Sequence, residues 1–97
     1  MIAQETIKTG ELAGVVEATK LPNIACNLVK FKAAATNAGN VYLGGVDVTK
    51  SNGNTNETTG FELAPGDETG WLPIANLNKL YRICDNVGDD LIYLALA

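Results

Sequence analysis

Four residue groups in this chain have types that could do chemistry. Glu62, Asp67 and Glu68 surround a Pro65–Gly66 pair in GFELAPGDETGWLPI, and Trp71 follows three residues after Glu68. Asp89 and Asp90 stand together in a second turn-like stretch, NVGDD. Cys26 and Cys84 are the two thiols, and there is no histidine. Carboxylates this close could ligate a hard cation, which takes several oxygen ligands. They could also serve as an acid–base pair, given a cleft and a defined separation.

Most of that chemistry is excluded by residue type. A chain without histidine has no Ser-His-Asp or Cys-His arrangement and no His-ligated metal. The acids lack the DxDxDG spacing of a calcium loop, and no CxxC pair offers a zinc site. Gly44–Gly45 follows a strand-like run without the GxxxxGK[ST] pattern of a phosphate loop. The expectation is therefore no enzyme, no metal and no cofactor. Asp67 and Glu68 become the wet tip of a turn made by Pro65 and Gly66, where turn chemistry favours such residues. The two cysteines are too few for a disulfide framework, and buried free thiols are the default reading. A single cross-strand bridge is the other.

Elements must then position what remains. The chain of 97 residues is 46% hydrophobic, enough for one domain with a modest core. A net charge of −4 argues against nucleic-acid and anionic membrane partners. MIAQETIKTGELAG has neither a basic n-region nor an apolar h-region, so synthesis without a cleaved signal is expected. No apolar run approaches the ~20 residues of a membrane helix.

Short apolar runs alternate with turn chemistry along the whole chain. Strands are expected at AGVVEA (13–18), IACNLVKFKA (24–33), NVYLGG with VDVT (40–49), FEL (61–63), the return TGWLPI (69–74), the alternating NLNKLYRICD (76–85) and LIYLALA (91–97). In the second run Ile24, Cys26 and Leu28 share one face while Val29, Phe31 and Ala33 share the other. A bulge near Leu28–Val29 would turn both sets inward. Residues 50–60 carry no apolar side chain and read as an exposed loop. Around Leu77 one turn of 3₁₀ helix is the most that Pro73 allows.

The fold expected is all-β: a single compact β-sandwich of about seven or eight short antiparallel strands. Jelly-roll-like order is preferred on strand number, although spacing alone does not separate it from an immunoglobulin-like order. Residues 1–20 form an N-terminal arm or first strand, and residues 21–97 the sandwich. In FELAPGDETGWL, Phe61 and Leu63 point to the core on the way out of a hairpin. Trp71 and Leu72 occupy opposite faces on the way back.

NAGNVYLGGVDVT, GFELAPGDETGWLPI, NLNKLYRICD and the final LIYLAL together resemble small all-β proteins encoded among the virion genes of tailed bacteriophages. The resemblance spans residues 22–96 and is one of pattern. It implies a compact domain that decorates or cements a capsid, or attaches to tails and fibres. Its implied partners are further copies of itself, as a dimer or trimer, and the major capsid protein. Its implied location is the virion, after synthesis in the host bacterial cytoplasm. It carries over no catalytic residue. On this reading Trp71, Tyr42, Ile2, Ile7 and Leu12 are the candidate interface residues. The N-terminal arm, with Ile2, Ile7 and Leu12 among polar neighbours, is placed to add a strand to a neighbour. The alternative is a receptor- or glycan-binding module using Trp71, Tyr42 and the Asn-rich loop.

Overall fold

A computed structural model describes residues 6–97. Seven strands run in the order β1 (Ile7–Leu12), β2 (Thr19–Lys20), β3 (Leu28–Ala33), β4 (Val41–Gly44), β5 (Phe61–Leu63), β6 (Tyr81–Cys84) and β7 (Leu91–Leu96). They form two antiparallel sheets, of order β1-β7-β3 and β2-β6-β4-β5. The protein is a small β-sandwich.

Alternation decides what each sheet turns inward. Val29, Phe31 and Ala33 are fully buried, and directly paired residues share a face. Register therefore places Ala95, Tyr93 and Leu91 of β7 inward beside them, with Lys8, Gly10 and Leu12 of β1 beyond. Across the sandwich, Val41, Leu63 and Cys84 form the facing row. Gly10 is required by close approach. A Cβ there would lie 2.7 Å from the Tyr93 ring, so Tyr93 can lie across β1 only over a glycine. Lys8 also faces inward at the open edge, with Nζ donating to the Ala25 carbonyl at 3.0 Å. A charge turned inward on an edge strand discourages further strands from adding there.

No bulge interrupts β3 at Leu28–Val29: its register with β7 is unbroken and Leu28 turns outward. A bend at Asn27 precedes β3 instead, so Cys26 and Val29 are both buried three positions apart. Both cysteines are buried and free. Burial pushes both thiols above their ordinary pKa.

Four further expectations are corrected. AGVVEA is not a strand. Gly14 is packed against the 86–89 loop, where an added Cβ would meet the Val87 carbonyl at 2.6 Å, and Val16 is exposed. The first strand lies earlier, at residues 7–12, and pairs along its whole length with β7 of the same chain. VDVT contributes one inward residue, Val48, which covers Tyr42, Ile83 and Tyr81 on the outer face of the four-stranded sheet. Phe61 is 65% exposed, because β5 is an edge strand and its first residue overhangs the core. Finally, TGWLPI does not return along β5. It crosses to the other sheet and runs antiparallel along β3, with bridges Lys32↔Glu68, Val29↔Leu72 and Ala25↔Asn76. The expected 3₁₀ turn is present at Leu77–Lys79, capped by the Asn76 side chain accepting from the Asn78 N–H.

Two loops close one end of the sandwich through buried polar groups. The Asp89 carboxylate is 1% exposed and accepts four hydrogen bonds: Ala38 N–H and Gly39 N–H at Oδ1, Asn86 N–H and Nδ2 at Oδ2. Asn37 pairs in both directions with the Asp90 backbone. Desolvation alone would raise the Asp89 pKa, but the hydrogen bonds outweigh it and the pKa is lowered. A carboxyl with a lowered folded pKa adds stability that is complete above its unfolded value and lost as pH falls through the folded one. Asp89→Asn should replace one acceptor with a donor facing N–H groups and lower stability by about 2–3 kcal/mol. Urea denaturation at neutral pH should show that loss. The gap from wild type should begin to narrow as pH falls below about 4, where the unfolded chain's carboxyl takes up a proton, and should close as pH falls on through the lower folded value.

Candidate protein-docking surface

The acidic stretch that invites a catalytic reading is a corner between sheets. Pro65 and Gly66 make a turn closed by the Asp67 N–H on the Ala64 carbonyl at 2.8 Å. Gly66 has φ of 89°, the left-handed value a type II turn demands after proline. Asp67 Oδ2 accepts from the Ala64 N–H, so this carboxylate is a local cap. From Gly66 onward the chain is bonded to β3: Gly66 N–H to Ala33, Ala33 N–H to Asp67, Thr69 N–H to Phe31, and Leu72 and Val29 reciprocally at 2.7 and 3.0 Å. The Phe31 N–H is taken by the Thr69 hydroxyl at 3.0 Å.

That pairing sorts the segment by face. Leu72 follows Val29 and packs against the core. Trp71 turns to the outer face and is 45% exposed. Lys30, on the same face, holds Nζ 5.1 Å from the centre of the Trp71 ring and 3.3 Å from Glu68 Oε1. Lys30, Glu68 and Trp71 thus form one surface cluster.

The rest of that outer face follows from register. Inward residues alternate with Ile7, Thr9 and Glu11 on β1, Ile92, Leu94 and Leu96 on β7, and Leu28, Lys30 and Lys32 on β3. Ile92, Leu94, Leu96 and Leu28 are half-buried by their neighbours within the sheet, and Ile7 is 67% exposed. None of the five packs into either hydrophobic cluster of the described residues. An aliphatic stripe on a central strand, separated from Trp71 by Lys30, has no packing partner among the described residues on one side of the molecule. Patches of this kind, rimmed by charge, mark protein-contact surfaces.

The sequence-derived candidates are divided by this geometry. Trp71 and Ile7 lie on the open face. Ile2 lies outside the described residues. Leu12 is turned inward and packs on the core, because it shares the face of Leu91 and Ala33. Tyr42 is only 3% exposed, beneath Val48 on the other sheet, and cannot be a contact residue. Of the turn residues, Pro65 and Asp67 are exposed and Glu68 belongs to the Lys30 cluster. Sequence reasoning missed Ile92, Leu94, Leu96 and Leu28. Their signal was present: LIYLALA alternates nothing polar against its apolar residues, which means apolar side chains on both faces.

A second apolar feature is an open groove of about 220 Å³ lined by Leu43, Phe61, Thr69, Leu72 and Leu80. It lies beside the overhanging Phe61, where the two sheets splay. Among the described residues no three His, Cys, Asp or Glu side chains converge as metal ligands. No family model, no curated protein and no solved structure matches the chain.

Trp71 is the chain's one tryptophan, so its emission reports this cluster alone. Lys30→Met removes the cation from the ring and frees Glu68. An exposed ion pair and cation–π contact contribute about 1 kcal/mol or less together. The expected result is a shifted tryptophan emission maximum with a melting temperature within about 5 °C of wild type.

Proposed function

We propose that this protein is a non-enzymatic structural component of a bacteriophage virion, a decoration or cement module that binds the outer shell as an oligomer. The observation that carries the reading is the open aliphatic face of the three-stranded sheet, with Trp71 at its margin. Several features support it. The acids nearest Trp71 are engaged in turn and surface contacts, Asp67 with Ala64 and Glu68 with Lys30. The most buried acid, Asp89, is saturated by loop donors. The pattern shared with small virion proteins supplies the kind of partner. A module repeated over a lattice also needs only a modest contact per copy, because multivalent attachment multiplies weak affinities.

A sugar-binding role is less well supported. One face of the Trp71 ring is already taken by Lys30, and Tyr42, the second aromatic such a platform would use, is buried on the opposite sheet.

The test is cosedimentation with shells purified from the phage that encodes the chain and stripped of it. Wild-type protein should pellet with shells in a saturable way. Trp71→Ala should weaken retention tenfold or more, the usual effect of truncating an aromatic anchor, with an unchanged far-ultraviolet dichroism spectrum. Wild-type protein that stays in the supernatant at every concentration would overturn the reading.

A further inference from the structure

The open face is not uniform, and its pattern specifies an occupant. Three rows cross it from β1 through β7 to β3: Glu11–Ile92–Lys32, Thr9–Leu94–Lys30 and Ile7–Leu96–Leu28. One end is charged and the other wholly apolar. In the charged row an acid stands on the β1 flank and a base on the β3 flank. Among the described residues Lys30–Glu68 is the one ion pair, so Lys32 and Glu11 both lack a partner of opposite charge. Glu11 instead stands beside Asp90, whose hydrogen bond and like charge raise its pKa. A cation placed over Glu11 would relieve that crowding.

We infer that the face packs against the same face of a second copy, about a two-fold axis parallel to β7. Rotation about such an axis lays β1 of each copy over β3 of the other and keeps every row in place. Glu11 of one copy then meets Lys32 of its partner, twice, and Ile7 meets Leu28, twice. Ile92, Leu94 and Leu96 stack on their own images. The other in-plane axis, perpendicular to the strands, would reverse the rows and set Glu11 against Ile7. Charge and apolarity therefore select one of the two arrangements. Closed two-fold contacts of this self-complementary kind are the commonest in soluble oligomers. Aligned sheet-on-sheet packing at about 10 Å leaves room for these side chains to interdigitate.

Size sets the strength. Six residues of strand and the three chain widths that overlap, β1, β7 and β3, make a face of roughly 20 by 14 Å. Two such faces bury on the order of 600 Å², below the size of a stable specific interface, so the dimer should be weak and concentration-dependent. Edge pairing through β1 is the competing route. Thr6 exchanges both backbone bonds with Ala97, so Ile7, Thr9 and Glu11 turn their N–H and C=O groups to the open edge.

This inference rests on the docking reading above and is tested separately from it. Sedimentation velocity of the full chain from about 1 μM to 1 mM should show a monomer–dimer equilibrium. Leu94→Glu, which sets two carboxylates on the axis, should weaken it at least tenfold. Glu11→Lys and Lys32→Glu should each weaken it, and the two together should restore it. Edge pairing through β1 would be indifferent to Leu94→Glu, so that variant separates the two routes. A strictly monomeric chain, a trimer, a dimer indifferent to Leu94→Glu, or a failure of the charge swap to restore association would each overturn the arrangement. A monomer whose shell binding is lost in Trp71→Ala would assign the face to the shell, overturning the dimer and keeping the docking reading.

Discussion

The backbone of β3 has to be satisfied on both sides, and much of the molecule follows from that. Val29, Phe31 and Ala33 are fully buried, so their outward N–H and C=O groups could not be left to water. β7 bonds one side of the strand. Residues 66–72 must bond the other, which obliges the chain to leave the four-stranded sheet after Leu63 and cross the sandwich. The type II turn at Pro65–Gly66 makes the crossing, and the antiparallel bridges then fix every side chain beyond it. Leu72 goes in, while Trp71 and Glu68 go out onto the face that carries Lys30. The acidic, aromatic look of this stretch is thus a by-product of covering an edge, and the large apolar side chain it leaves on the outside is the tryptophan.

How much of this the sequence discloses depends on how local the cause is. Alternation in LVKFKA identifies a strand because each side chain reports its own face, whereas VYLG and YRIC are buried on both faces and are marked by short runs between turns. The 3₁₀ turn is legible because Pro73 and the Asn76 cap lie next to it. The crossover is not legible. FELAPGDETGWL reads as a hairpin, since a turn with strands on both sides has the same local chemistry whichever sheet the second strand joins. Phe61 misleads for a related reason. Its parity is that of Leu43, its cross-strand partner, yet its position at a sheet edge leaves it outside the core. The open face was readable in part. An unbroken apolar run at LIYLALA announces two apolar faces, but only the register with β1 and β3 shows which of them no described residue covers.

Buried polar groups in this sandwich are handled in two ways. Asp89 is saturated with donors and ties the loops at 37–39 and 86–89 together, so its charge contributes to stability. Arg82 sits on the core side of β6, 7% exposed, with Nη2 on the Ala13 carbonyl at 3.0 Å and Nε without a partner. Desolvation lowers its pKa. The first arrangement closes the end of the sandwich. The second tethers the irregular 13–18 segment to the sheet it leads into, at the expense of one unmet donor.

The loop at residues 51–57 has every side chain exposed, and two asparagines, Asn52 and Asn56, hold local turns by accepting from Asn54 and Thr58. Its stem is pinned by paired Thr49 and Thr58 hydroxyls at 2.9 Å and by backbone bonds on either side. A stem closed in this way insulates the sheets from whatever the loop contains. Doubling the length of such a loop costs only about 0.6 kcal/mol of closure entropy. The protein therefore carries a ready insertion point, at which a foreign peptide could be grafted and displayed without touching either sheet.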